Sequence, residues 1–137
     1  MGQQQLLLII LAMIIVGVAA VLAITLFQDN AVDHDRKMII ADLTILSQKA
    51  THYRSRPTTL GGGGNSFVGL TADASGLATL ASPSFTNNPN GIYSIKTAGT
   101  STQVVLRGVG KVAMDGGSFP TYDMTVTSQT RIISKIN

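Results

Sequence analysis

The chain has no cysteine, no glutamate, and no charged residue before Asp29. Without cysteine there is no disulfide, no thiol chemistry and no iron–sulfur cluster. A small extracytoplasmic domain must then hold itself by core packing or by assembly with neighbours. Without glutamate, the carboxylates are seven aspartates, and no two form an obvious close pair for acid–base work. The only histidines, His34 and His52, stand 18 residues apart on one expected helix, about 27 Å along it. They cannot share a metal within one chain. Surface histidine is the plain reading of His34, and a metal contact at a subunit interface is the other. A serine nucleophile needs a base held beside it, and the sequence offers only His52 near the expected head. The seven aromatics read as ordinary core, not as a path for electrons. These absences exclude the common enzyme classes, and the sequence calls for no cofactor and no metal.

Glycine is plentiful, yet its clusters lack phosphate-binding context. Gly61–Gly64 is not followed by Gly-Lys-Ser/Thr, and Gly108-Val109-Gly110-Lys111 continues into Val112-Ala113-Met114. The Thr71–Gly76 stretch carries Asp73 as its sole carboxylate, too sparse for a calcium loop. Net charge is +3. Residues 29–37 hold three aspartates against Arg36 and Lys37, whereas residues 38–137 hold eight basic and four acidic residues. Along the chain the cations are scattered and read as a solvated face. Neither a basic stripe nor an aromatic platform points to nucleic acid.

What is present is an apolar run. From Leu6 to Phe27, 22 residues, Thr25 alone is polar. As a helix this spans about 33 Å, enough for a hydrocarbon core of about 30 Å. A secretory signal peptide has a basic start, an apolar stretch of about 7–15 residues and a small-residue cleavage site. Here no Lys or Arg precedes Arg36, the run is longer, and Phe27-Gln28 is a poor site. Retention as a membrane or assembly helix is expected.

The helix is expected to continue. No proline or glycine interrupts residues 18–56. Ile39, Leu43, Leu46, Ala50 and Tyr53 step by four and three, an apolar stripe at helical period. Asp35, Asp42, Gln48, Lys49 and Arg56 are assigned to the remaining surface, and Asp33–Lys37 is a favourable i,i+4 pair. Pro57 stops the helix at or before Arg56. Gly17 lies inside the apolar half. It is either a tolerated membrane-helix glycine or a place of close helix contact or local unwinding.

Residues 57–91 are rich in Gly, Ser, Thr and Asn and read as a loop region. Phe67, Val68 and Leu70 are expected to tuck it onto the core. Leu77–Ala81 reads as a short strand or a helical turn. Thr86–Gly91 is a turn cluster, with Asn90-Gly91 the hairpin-type dipeptide. The period then changes. Ile92–Thr97, Gln103–Val109, Tyr122–Thr127 and Arg131–Ile136 read as strands of an antiparallel sheet. The expected fold class is α+β: a long N-terminal α-helix packed against a small antiparallel β-sheet head. The expected organisation is an apolar helix half (1–28), an amphipathic half (29–56), a loop region (57–91) and the sheet (92–137).

This plan, with Gly2-Gln3 followed by Gln4-Gln5-Leu6-Leu7-Leu8-Ile9-Ile10, resembles the type IV pilins and pilin-like filament subunits. The resemblance covers the plan of the whole chain, and its sequence-specific part is short. It implies cleavage by a prepilin peptidase after Gly2 and N-methylation of Gln3. It implies an inner-membrane pool served by assembly machinery. It further implies a cell-surface filament, a homopolymer whose helices bundle in the core, serving adhesion, motility, uptake or secretion. Leu6, Leu7, Ala12, Gly17, Ala20, Ala23 and Phe27 would form that core. Ile39, Leu43, Leu46, Ala50 and Tyr53 would pack the head on the helix.

The chain departs from the family pattern in places. Leu7 stands at the fifth mature position, where the family usually has glutamate. Gln3 replaces the usual Phe or Met, Met1-Gly2 stands where the family carries a basic leader, and the usual proline near the twentieth mature residue is missing. A leader longer than the sequence shows, a lineage without one, and absence of cleavage all remain open. The Ser82–Thr86 stretch, the turn after Ala98 and Thr125–Thr130 offer hydroxyls for O-glycans. Two other readings stand beside the filament: a pseudopilin of a secretion system, and a single-span anchored surface binding module.

Overall fold

The computed structural model describes residues 2–137. Helix α1 runs over Gly2–Ser55. A 3-10 turn at Thr58–Leu60, α2 (Ala74–Leu80) and α3 (Pro83–Thr86) follow. The strands are β1 (Asn87–Asn88), β2 (Gly91–Thr97), β3 (Gln103–Gly110), β4 (Thr121–Thr127) and β5 (Arg131–Lys135). They form one five-stranded sheet in sequence order, every neighbouring pair antiparallel. The chain divides into two compact units, and the second begins at Val32. The fold is thus α+β, and within the second unit the helix packs on an antiparallel sheet.

The packing follows from two periods. Leu43, Leu46, Ile39 and Ala50 are all fully buried. Strand side chains alternate, so Val104 and Leu106 of β3 and Met124 and Val126 of β4 present one face to that stripe. Phe67 and Leu70 close the core, whereas Val68, expected there too, is exposed. Its carbonyl accepts from the Tyr53 hydroxyl at 3.0 Å, and Tyr53 is only half-buried.

The helix approaches β3 closely because two inner-face positions lack side chains. A Cβ at Gly108 would lie 2.7 Å from Ile39 Cγ2, and one at Gly110 would collide with the Asp35 carboxylate. The Gly108-Val109-Gly110 run serves helix–sheet approach.

Two aspartates correct the sequence reading. Asp35 and Asp42 are buried on the packing face of α1 rather than displayed on its surface. Asp35 Oδ2 accepts from the Lys111 and Val112 N–H groups at 3.1 and 3.2 Å. It thereby takes up two donors just past the end of β3. Asp42 Oδ2 accepts from the Tyr93 hydroxyl at 2.7 Å, Asn88 Nδ2 at 2.9 Å and Asn90 Nδ2 at 3.1 Å. Burial, reinforced by Asp42, pushes the Tyr93 hydroxyl far above its ordinary range, so it stays a donor. A third correction concerns Asp33, which pairs with Arg36 at 3.0 Å, not with Lys37.

The hairpin also differs from its expected form. Asn87 pairs with Ile92 and Asn88 with Gly91, so Pro89-Asn90 is the two-residue connection. Asn88 Oδ1 accepts from the N–H groups of Asn90 and Gly91 at 2.9 and 3.0 Å. Gly91 is instead the first residue of β2, where a Cβ would stand 2.7 Å from the Val109 carbonyl oxygen. The four-glycine run folds the chain back over the end of α1. The N–H groups of Gly63, Gly64 and Asn65 bond to the carbonyls of Tyr53, Arg56 and Arg54 at 2.8, 3.0 and 2.7 Å, satisfying acceptors that a helix end leaves free.

Asp42→Ala removes three bonds and strands the Tyr93 hydroxyl in the core. The expected loss is about 2–3 kcal/mol, read as a lower urea midpoint for the chain in uncharged detergent micelles. Tyr93→Phe should cost less, because it takes away the stranded donor.

Candidate functional site

The first candidate surface is the apolar half of α1. Its backbone is hydrogen-bonded along the helix, and Thr25 donates back to the carbonyls of Val21 and Leu22 at 3.0 and 2.9 Å. From Leu6 to Phe27 no polar side chain is therefore left requiring an outside partner, as a segment away from water demands. Every side chain there is exposed on the single chain, from Leu6 and Leu7 to Phe27, which is 74% accessible. The small residues Ala12, Gly17, Ala20 and Ala23 interrupt this surface. Ala12 and Gly17 leave a shallow apolar depression bordered by Ile9, Met13 and Val16. A Cβ at Gly17 would meet nothing within 4 Å, and the helix is unbroken through it. Gly2 opens the helix and Gln3 follows in its first turn, while Met1 lies outside the described residues.

The second surface is the head. Ile39, Leu43, Leu46 and Ala50 lie inside its core and Tyr53 at the edge of it. A cavity of about 370 Å³ lies between α2, α3 and β2 and is lined mainly by Leu77, Ala78, Ala81, Pro83, Ile92 and Ile95. Asp73 at its rim is the N-cap of α2. Thr71, the Gly76 N–H and Ser75 donate to it and hold its carboxyl at about 2. Asp73 thus has a structural use that accounts for the Thr71–Gly76 sequence. His34 and His52 are both exposed. No group of three or more His, Cys, Asp or Glu side chains is placed to hold a metal among the described residues. Of the hydroxyls named for O-glycans, Ser82, Ser84, Thr100, Ser101, Thr102, Ser128 and Thr130 are exposed.

The outer face of the sheet carries an ion cluster that the sequence reading missed. Asp123 lies opposite Arg107 across β3 and β4. Its carboxylate accepts from Arg107 Nε at 2.7 Å and Nη2 at 3.0 Å, and from Lys96 Nζ at 2.7 Å. The alternation of β4 was the available signal. Asp123 falls on the outward side, where only a covering pair of long cationic side chains could bury it.

No family model matches the chain, and neither does any curated protein or solved structure. The architecture itself, a long N-terminal helix with a small antiparallel sheet packed against it, is pilin-like.

Arg107 holds the Asp123 carboxyl below the ordinary carboxylate range; burial opposes this, and Lys96 adds to it. The folded value lies below the unfolded one of about 3.9. The stabilisation is therefore present above that range and fades as pH falls through the folded value. In urea titrations between about pH 7 and pH 2, Asp123→Asn should be less stable than the native chain at neutral pH. The gap should shrink on acidification, and the residual acid sensitivity of the variant should come from groups such as Asp73.

Proposed function

We propose that this chain is a structural subunit of an extracellular type IV pilus-like filament, with its N-terminal helices bundled in the filament core. The observation that carries this reading is the exposed apolar half of α1. Sixteen large apolar side chains between Leu6 and Phe27 are exposed on the single chain. At about 1.5–3 kcal/mol each, their transfer out of water is on the order of 25–50 kcal/mol. That exceeds the stability of about 5–15 kcal/mol typical of a folded protein. Such a surface is covered by lipid or by other apolar helices. A helix of this composition exchanges one for the other at little cost if the helices pack well.

In this reading, residues 1–28 are the membrane-resident and then filament-core half, and residues 29–56 join it to the head. The 57–91 region and the 92–137 sheet face outward. Prepilin peptidase cuts after Gly2, Gln3 becomes the methylated terminus, and the chain waits in the inner membrane for the assembly machinery. Leu6, Leu7 and Phe27 make broad contacts, while Ala12, Gly17, Ala20 and Ala23 let neighbouring helices approach. Exposed hydroxyls of the head carry O-glycans. The reading gives the protein no enzymatic activity.

Leu7 favours one second reading. Without an acid there, the chain has no carboxylate to meet a neighbour's new amino terminus, which suits a minor or pseudopilus subunit. Electron microscopy of fibres sheared from cells, with mass spectrometry of their N-terminal peptide, tests both readings. Abundant fibres built of this chain, beginning at Gln3, are expected. A short or scarce structure beside secretion components would favour the pseudopilin, and a chain left in the membrane with no fibres would favour the anchored module. Within a fibre, Gly17→Phe or Ala20→Phe should lower sheared yield about tenfold or more, since overpacking costs about 1–3 kcal/mol at each contact. Normal yield in both variants would refute close helix approach at these positions.

A further inference from the structure

Three basic side chains cluster where α1 ends. Lys49 and His52 share a face of the last turns of α1, and Arg56 follows directly after its end. All three line one concavity of about 230 Å³. Its other side is made by Thr79 and Leu80 of α2 and by Gly61. No carboxylate lines it. Lys49 Nζ stands 5.0 Å from the centre of the Phe85 ring, which supports the lysine at the rim.

These side chains have no internal task of the kind that occupies four of the other cations. Lys96 and Arg107 are held by Asp123, Arg36 by Asp33, and Lys111 Nζ by Asn87. Among the described residues, Lys49, His52 and Arg56 donate no side-chain hydrogen bond and enter no ion pair. Capping the helix end does not require them either, because Gly63, Gly64 and Asn65 already bond to its last carbonyls. The helix end contributes roughly half a negative charge, less than either Lys49 or Arg56 alone. The concavity is therefore net positive, with a hydroxyl at Thr79 and an apolar wall at Leu80.

We propose that this concavity binds a phosphate group, either as free inorganic phosphate or as the monoester of a molecule of sugar size. Such a group carries about −1.5 to −2 charges at neutral pH, which matches Lys49 and Arg56 together. Arg56 supplies a planar donor fork and Lys49 a point charge. His52 and Thr79 add donors, and Leu80 gives a carrier an apolar surface. The volume suits one compact group and not a polymer groove. The site lies wholly in the head and does not rest on filament assembly.

The test uses the full chain in uncharged polyoxyethylene micelles, followed by amide NMR shifts during titration with inorganic phosphate, glucose 6-phosphate and glucose. Saturable shifts at Lys49, His52, Arg56, Gly61 and Thr79 are expected with both phosphate probes, at about millimolar Kd. None is expected with glucose. Tighter binding of glucose 6-phosphate would assign a carried ester, and equal binding would assign free phosphate. The Lys49→Gln/Arg56→Gln pair should weaken binding at least about tenfold, while Lys37→Gln/Lys135→Gln leaves it unchanged. All four positions lie at the surface, and an unchanged far-UV spectrum checks the fold. The proposal is overturned if phosphate probes give no saturable shift, if shifts spread evenly over all cationic residues, or if the control pair loses binding equally.

Discussion

The head depends on the contact between one stripe of α1 and the inner face of a sheet that cannot stand alone. A five-stranded antiparallel sheet has one side to cover, and the helix supplies the cover through Ile39, Leu43, Leu46 and Ala50. Glycines at 108 and 110 set how close the helix comes. That closeness leaves little room for water between helix and sheet, so polar groups trapped there need partners. Asp35 and Asp42 supply them, each fixing a different piece of the sheet to the helix. Asp35 holds the end of β3, and Asp42 holds β2 and the hairpin before it. The apolar stripe provides the bulk of the attraction and the two carboxylates specify register. A one-residue slip of β3 would bring Arg107 or Val109 inward in place of glycine.

The same economy governs charge. Three of the seven aspartates, Asp35, Asp42 and Asp123, are buried and spoken for by named donors. Asp73 caps a helix and Asp33 pairs with Arg36. Most of the acid in the chain therefore does internal work, and the excess of cations stays outside. The positive face at the end of α1 follows from this division, and composition alone could not have located it.

Much of the fold was legible because its signals are local. The absence of Pro and Gly over residues 18–56 marks one helix, Pro57 marks its end, and alternation marks β2, β3 and β4. The misses share a different cause. Asp35 and Asp42 were placed on the surface because aspartate is rarely buried, although they share the period of the stripe with Ile39 and Leu46. Helix α2 was ambiguous, since a short apolar run reads equally as strand or helix, and the N-cap at Asp73 was the deciding feature. The hairpin was displaced by one residue because Asn90-Gly91 is a strong turn signal, while the contact with Val109 that requires glycine is long-range. The cationic concavity was invisible for the same reason. Lys49, His52 and Arg56 are close in the sequence, but Thr79, Leu80 and Gly61 reach them only through the fold.

The two halves of α1 pose different physical problems, and the sequence treats them differently. Between Val32 and Ser55, the helix has a partner in its own chain, so it can carry charge on the remaining face and bury aspartates against known donors. Between Leu6 and Phe27 it carries no charge, and its single hydroxyl is turned onto its own backbone. That second pattern suits a surface whose surroundings change from lipid to protein, because no side chain has to find a new hydrogen-bond partner when they do. Small residues then decide how tightly a protein neighbour fits, and large ones decide how much apolar area is covered. An acid in this stretch would add a specific attraction to a neighbour's amino terminus but would also have to be neutralised in lipid. With Leu7 in that place, the proposed filament would have to associate through this half of the helix by packing alone, which would make the shape of the Ala12–Ala23 surface its controlling variable.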